Sequence, residues 1–187
     1  MVTAGFGAGL VAGLAGTSDA PSVHASRLAG IGGDGETGIQ IQNLDQVESA
    51  DIRAQFFDAG GNMREEINLP PTAAGAAANI WLPGTSLPSG QYSALMASNK
   101  AIAGIIRTDW PTTAGAAIYS NVKSGNDLAL PLVVRQYNGQ SSIISIQNAE
   151  ETVPANVTVE VFEVGERTPV ATAAYTMPPL ASTTIDV

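Results

Sequence analysis

Cysteine is absent and histidine occurs once, at His24. Disulfides, thiolate zinc sites and cysteine nucleophiles are therefore excluded, and any imidazole chemistry must use that single ring. Cations are scarce: 8 Lys+Arg face 17 Asp+Glu, for a net charge of −9. Such a chain lacks the electrostatic footprint of a nucleic-acid binder and disfavours anionic partners. No apolar run reaches the roughly 20 residues that would span a bilayer as a helix. Charged residues are only 13% and apolar residues 44%, which is too apolar for a disordered tail. A length of 187 residues allows one or two domains.

What the chain does contain is a repeat. Ile39-Gln40-Ile41-Gln42-Asn43 is matched by Ile144-Ser145-Ile146-Gln147-Asn148, at an offset of 105 residues. At the same offset Ser49–Asp58 matches Pro154–Glu163, and Gly60 falls on Gly165. Upstream, Ser22-Val23-His24-Ala25 aligns with Asp127-Leu128-Ala129-Leu130. Leu69-Pro70-Pro71 aligns with Met177-Pro178-Pro179 at an offset of 108, which implies three residues gained in the second copy's turn.

Both copies have the period of strands. Ile52, Ala54 and Phe56 alternate with Asp51, Arg53 and Gln55, and Val157, Val159 and Val161 with Asn156, Thr158 and Glu160. Alternation of this kind buries one face and wets the other. Gly32–Gly35, Ala59–Asn62, Pro70-Pro71, Leu87–Gly90, Ser98–Lys100 and Asn138-Gly139 are turn signals. The pattern predicts an all-β chain of antiparallel sandwiches with about seven strands each. Strands are expected near 22–29, 37–43, 49–58, 62–69, 74–82, 90–98 and 100–107. The Ala-rich run 73–78 follows Pro-Pro and is taken as strand. The expected division is 1–21 strand and hinge, 22–110 first sandwich, 111–126 linker, and 127–187 second sandwich.

The stretches TGIQIQNLDQVESADIRAQFFDAGGN and LPLVVRQYNGQSSIISIQNAEETVPANVTVEVFE resemble repeat modules of large secreted surface proteins from filamentous green non-sulfur (Chloroflexi-type) bacteria. Leu130–Val133, Ile144–Asn148, Phe57–Gly60, Pro70-Pro71 and Leu87–Ile106 carry the likeness, across roughly residues 22–187. Ala101 stands where that pattern favours Pro. The resemblance implies two tandem Ig-like sandwiches and an extracellular, cell-surface setting. It brings no catalytic residue, because its motifs are turn and core positions.

The second copy reaches only to the counterpart of about residue 79 by the 108 offset, so it lacks counterparts of 80–107. Missing strands expose apolar area, at about 25 cal/mol per Å², and leave strand edges open. The N-terminus has the shape of a replacement: Val2, Ala4, Phe6, Ala8, Leu10, Ala12 and Leu14 recur at period two, backed mainly by glycine. Its acceptor groove is expected at Val157, Val159, Val161, Ile144, Ile146 and Ile185. Taken from a neighbouring copy, this donor strand gives a head-to-tail homopolymer. Other readings are a strand that completes its own chain, and a signal-peptide remnant over residues 1–25 that lacks the positive n-region.

No enzyme site is legible. His24 has no Ser/Asp constellation around it. Gly33-Asp34-Gly35-Glu36 lacks the ligand count of a Ca²⁺ loop. Glu65-Glu66 and Glu150-Glu151 have the character of solvated charges. Gly5-x-Gly7-x-Gly9 is followed by no helix and so fails as a dinucleotide fingerprint. Asn156-Val157-Thr158 is a glycosylation sequon, with Asn156 outward if Val157 is inward. The expectations are no cofactor, no metal, no nucleic acid, no membrane span, self as partner and a glycan at Asn156 as an option. The alternative function is an adhesin or carbohydrate-binding module, with Trp81, Trp110 or Tyr92 as a sugar platform.

Overall fold

The computed structural model describes residues 10–14, 22–29, 35–110, 115–120, 127–130, 132–137 and 142–186. Among them there is no α-helix; the chain is strands joined by turns, with one short 3-10 turn at Leu82–Gly84. In chain order the strands begin with β1 (Leu10–Leu14), β2 (Ser22–Ala29), β3 (Glu36–Asn43) and β4 (Ile52–Phe57). Next come β5 (Met63–Asn68), β6 (Ala77–Trp81), β7 (Gln91–Ser98), β8 (Ile102–Trp110) and β9 (Gly115–Ser120). The second copy contributes β10 (Ile143–Asn148), β11 (Ala155–Phe162), β12 (Pro169–Met177) and β13 (Ser182–Asp186).

The first copy forms two four-stranded antiparallel sheets, ordered β2-β7-β4-β5 and β6-β3-β8-β9. One core fills the space between them. Ala54, Phe56, Ala94 and Met96 meet Ile39, Ile41, Ile80 and Ile106 there. Period-two patterning creates this core directly. On β3, Thr37, Ile39, Ile41 and Asn43 are buried while Gln40 and Gln42 are exposed. Thr37 and Thr108 meet hydroxyl to hydroxyl at 2.8 Å inside the core. β9 pairs with β8, so part of the predicted linker extends the first sheet.

The second copy forms a three-stranded sheet, β1-β10-β13, and a hairpin, β11-β12. β13 and β6 correspond strand for strand at the 105 offset, as do β10 and β3. The hydrogen bonds repeat as well. Asn43 Nδ2 donates to the carbonyls of Glu48, Thr72 and Ala73; Asn148 Nδ2 donates to those of Val153, Met177 and Pro178. Asn43 Oδ1 accepts from Asp45 N–H, and Asn148 Oδ1 from Glu150 N–H.

This network corrects the 108 alignment. Thr72, not Leu69, is the counterpart of Met177, and each bridges the start of the preceding strand, at Ala50 and Ala155. Proline is the reason for the different paths. Pro70 and Pro71 lack N–H groups and interrupt the first copy's ladder, whereas Tyr175 and Thr176 continue the second copy's.

The two copies touch. Ser93 Oγ donates to the Leu180 carbonyl at 3.2 Å, and Ser182 N–H donates to the Ala59 carbonyl at 3.3 Å. Leu180 holds a left-handed φ of 58°, where the first copy has Gly75 at 67°. Across from it lies the β4–β5 turn. Burial works against ionising Asp58, yet bonds from Asn62, Arg64 and Gly60 outweigh it and hold the carboxyl below its usual range. The turn brings Gly61, φ 83°, against Pro179, where an added Cβ would overlap the Pro179 carbonyl oxygen. Gly61→Ala is expected to destabilise by about 2–4 kcal/mol, from backbone strain plus displacement of Pro179. Gly165→Ala has the same strain at φ 88° but open space around it, and is expected to cost about 1 kcal/mol. Equal losses in denaturant melts of the two variants would remove the Gly61–Pro179 contact from the account.

Candidate strand-binding groove

Equivalent positions in the two copies differ sharply in burial. On β4, Ile52, Ala54 and Phe56 are buried; their counterparts on β11, Val157, Val159 and Val161, are only half-buried. Phe57 is buried and Phe162 exposed; Ile80 is buried and Ile185 half-buried. The cause lies in the topology. In the first copy β7 sits between β2 and β4, and β8 lies on the free side of β3. Among the described residues, no strand pairs with the free edge of β11, and the edge of β10 opposite β13 is held by β1. What remains is a groove of about 920 Å³, walled by Val133, Val159, Val161, Val170, Tyr175 and Ile185, with Arg135 and Glu163 among its polar lining.

Ile144 and Ile146 lie deeper, buried beside Met177, with Val157, Val159, Tyr175 and Ile185 packed around them. Of the acceptor residues expected from sequence, Val159, Val161 and Ile185 line the groove, whereas Ile144, Ile146 and Val157 are not in its lining and belong to the packed cluster around Met177. Val133, Val170 and Tyr175 went unrecognised. Val170 and Tyr175 follow the β12 alternation; Val133 has no such signal, because the described residues 127–130 and 132–134 form no strand where their counterpart is β2.

The N-terminal segment is already paired within its own chain. β1 runs parallel to β10, with Leu10 opposite Ile144, Ala12 opposite Ile146 and Leu14 opposite Asn148. It lies on the edge that corresponds to the β8 position, where the first copy's pairing is antiparallel. Among the described residues, no strand lies on the other edge of β11. Val2, Ala4, Phe6 and Ala8 fall outside the described residues.

The remaining candidates disperse. Asn156 is exposed and accepts a hydrogen bond from Thr176 Oγ1 at 3.0 Å. Tyr92 is not a surface platform: it packs into the first core and donates to the Pro88 carbonyl at 2.7 Å. Burial raises its phenol pKa above the usual value. Trp81 is 48% exposed. The side chains of Trp110 and His24 fall outside the described set, as do Gly33 and Asp34. Glu66 is exposed on β5 and accepts from Gln55 at 2.8 Å, but Glu65 is not the solvated charge expected: it is half-buried, with Oε2 shut off from solvent and without a hydrogen-bond partner. Glu150 is half-buried and Glu151 exposed. Among the described residues, no group of three or more His, Cys, Asp or Glu is placed to hold a metal, and no helix is long and apolar enough to cross a membrane.

No family model matches the chain, and no curated protein matches it. Two solved structures are similar in part. The crystal structure of Thermotoga maritima 1070 is 13% identical, covering 60% of this chain and all of its own, with a TM-score of 0.44. The Anabaena sensory rhodopsin transducer is 10% identical over 54% of this chain and 91% of its own, with a TM-score of 0.34. Likeness at this level carries no argument about function.

Proposed function

We propose that this protein is a structural subunit of an extracellular filament, sheath or surface appendage, built from two tandem Ig-like β-sandwiches. Subunits join head to tail when the N-terminal strand, residues 2–15, inserts into the second sandwich of a neighbour. The observation that carries this reading is the open groove: side chains buried in the first copy are half-exposed at the same places in the second. A strand with alternating apolar residues fits such a gap, because ladder bonds give affinity and side-chain pockets give register. The chain also holds a strand of that pattern against the same module, since β1 lies on β10. That internal pairing is the closed state, and assembly requires β1 to leave it.

The closed state offers a switch for the test. Val11 stands opposite Ser145. Adjacent strands lie about 4.8 Å apart, within disulfide reach. The chain has no other cysteine, so Val11→Cys with Ser145→Cys forms a unique bond. The oxidised double variant is expected to stay monomeric, and to form filaments when reduced. Filaments from the oxidised, internally linked chain would overturn the mechanism.

Trp81 favours a second reading. Its half-exposed ring lies against Gly38, and with the neighbouring Gln40 and Asn79 it resembles a sugar-stacking platform of an adhesin or carbohydrate-binding module.

A further inference from the structure

We infer that residues 127–133 are a latent strand, formed only when a strand from a neighbouring chain enters the groove and takes the place that β7 holds in the first copy. The incoming strand is then laddered on both sides, to β11 and to 127–133. The inference deepens the head-to-tail reading above and rests on it.

The first copy supplies the template. There β7 is antiparallel to β2 on one side and to β4 on the other. Met96 lies opposite Val23 and Ala54, and Ala94 lies opposite Ala25 and Phe56. At the 105 offset these flanking pairs become Leu128 with Val159, and Leu130 with Val161. The groove is lined from the same two stretches of chain, by Val133 from one and by Val159 and Val161 from the other. Among the described residues, however, 127–130 and 132–134 form no strand. Extended backbone needs a ladder for its N–H and C=O groups. The neighbour that β7 gives to β2 is missing here among the described residues.

The segment nevertheless keeps the phase of β2. Ala25 and Leu28, three apart, lie opposite Ala94 and Tyr92, two apart and both in the first core. One extra residue of this kind is a bulge, and it shifts the alternation. The second copy is phased alike: Leu130 and Val133, the counterparts, pack against its core, while Leu132 between them is 73% exposed. Pro131, which has no N–H to donate, falls on Ser26, inside the register break. The end of the segment is already anchored. Val134 accepts from Ser142 N–H at 2.8 Å and donates to Ser142 Oγ at 3.0 Å, next to the start of β10.

Residues 2–15 of a neighbouring chain suit this slot. They carry no charge, and the template positions lie between aliphatic pairs. Their period-two apolar side matches β7, whose Tyr92, Ala94 and Met96 are buried. Within its own chain the same stretch is engaged at β10, in the other sheet, which leaves the slot to a neighbour's strand.

Hydrogen exchange reads the inference on the unaltered chain. Amides of 127–133 are expected to slow by about tenfold or more in filaments relative to monomers, while the exposed residues 46–49 exchange alike in both. Two variants read it through side chains. Leu128 is 39% exposed and gains cover on insertion, so Leu128→Asn is expected to raise the threshold concentration for filaments by about tenfold. Leu132 stands in the register break, and Leu132→Asn is expected to leave that threshold unchanged. Filaments in which 127–133 exchange as freely as in monomers would mean insertion beside β11 alone. That result, or equal thresholds for the two variants, overturns this inference and leaves the head-to-tail reading standing. Absence of filaments under all conditions overturns both.

Discussion

A chain lacking residues 1–16 is expected to remain folded, soluble and monomeric under conditions where the full chain forms filaments. The reasoning compares two places for one strand. Within the chain, β1 is tethered to β2 by residues 15–21, which reach at most about 25 Å. A tether this short gives an effective concentration near ~1 mM. At a subunit concentration of about 10 μM, insertion into a neighbour starts about 100-fold behind, or about 2.7 kcal/mol. Burying two side chains of Val or Phe size contributes about 3–6 kcal/mol. Where insertion along residues 2–15 buries two such side chains, Val2 and Phe6, beyond what the closed pairing buries, that gain exceeds the concentration term. The balance then favours exchange, though not by much, so filament growth should have a sharp concentration threshold. A synthetic peptide of residues 1–16, added to the shortened chain, is expected to bind the second module without restoring filaments. At 100 times its Kd it should stabilise that module by about 2.7 kcal/mol. Filaments of normal appearance from the shortened chain, seen by negative-stain microscopy, would end the donor-strand account.

The sequence made the strands and their faces legible because burial here follows period two so closely. The Ile52, Ala54, Phe56 face is buried as its alternation requires, and the observed strands fall within a few residues of those expected. Residues 73–76 are the exception: they form a turn in which Gly75 adopts φ 67°, and the strand begins at Ala77. Alanine has no side chain large enough to mark a face, so the pattern there was silent. Pairing partners were less legible. The parallel β1–β10 contact could not be read from an alternation that fits either direction of travel. The packing of β2 on β10 was also hidden, because Ser145 and Gln147 look like solvent-facing residues in sequence. Only the second module's position makes them interior.

Asn43→Asp is expected to be among the most damaging single substitutions in the first module, for a reason the sequence showed only as a repeated letter. Asn43 is fully buried, and its Nδ2 donates to three backbone carbonyls, at 2.8, 3.0 and 3.2 Å. These bonds pin the turn after β3 to the segment that leads into β6, the same service Asn148 performs in the second copy. A carboxylate of the same shape cannot donate. It would set a buried negative charge against three carbonyl oxygens, each stripped of its partner at about 1 kcal/mol or more. A loss of about 4 kcal/mol is a large share of a domain's usual margin of about 5–15 kcal/mol and corresponds to a Tm fall of about 15 °C or more. The pH dependence has a definite sign. Burial raises the new acid's pKa in the folded state above its unfolded value near ~3.9, so protonation favours folding. The deficit relative to the native chain should therefore be largest at neutral pH and shrink as pH falls through the raised pKa. Asn43→Ala removes the donor without adding a charge, so its deficit should be smaller and should not vary with pH over the same interval. Thermal melts of the three proteins at pH 7 and pH 5 decide the matter: a fall of a few degrees for Asn43→Asp, unchanged between the two pH values, would mean that the three carbonyls find other partners.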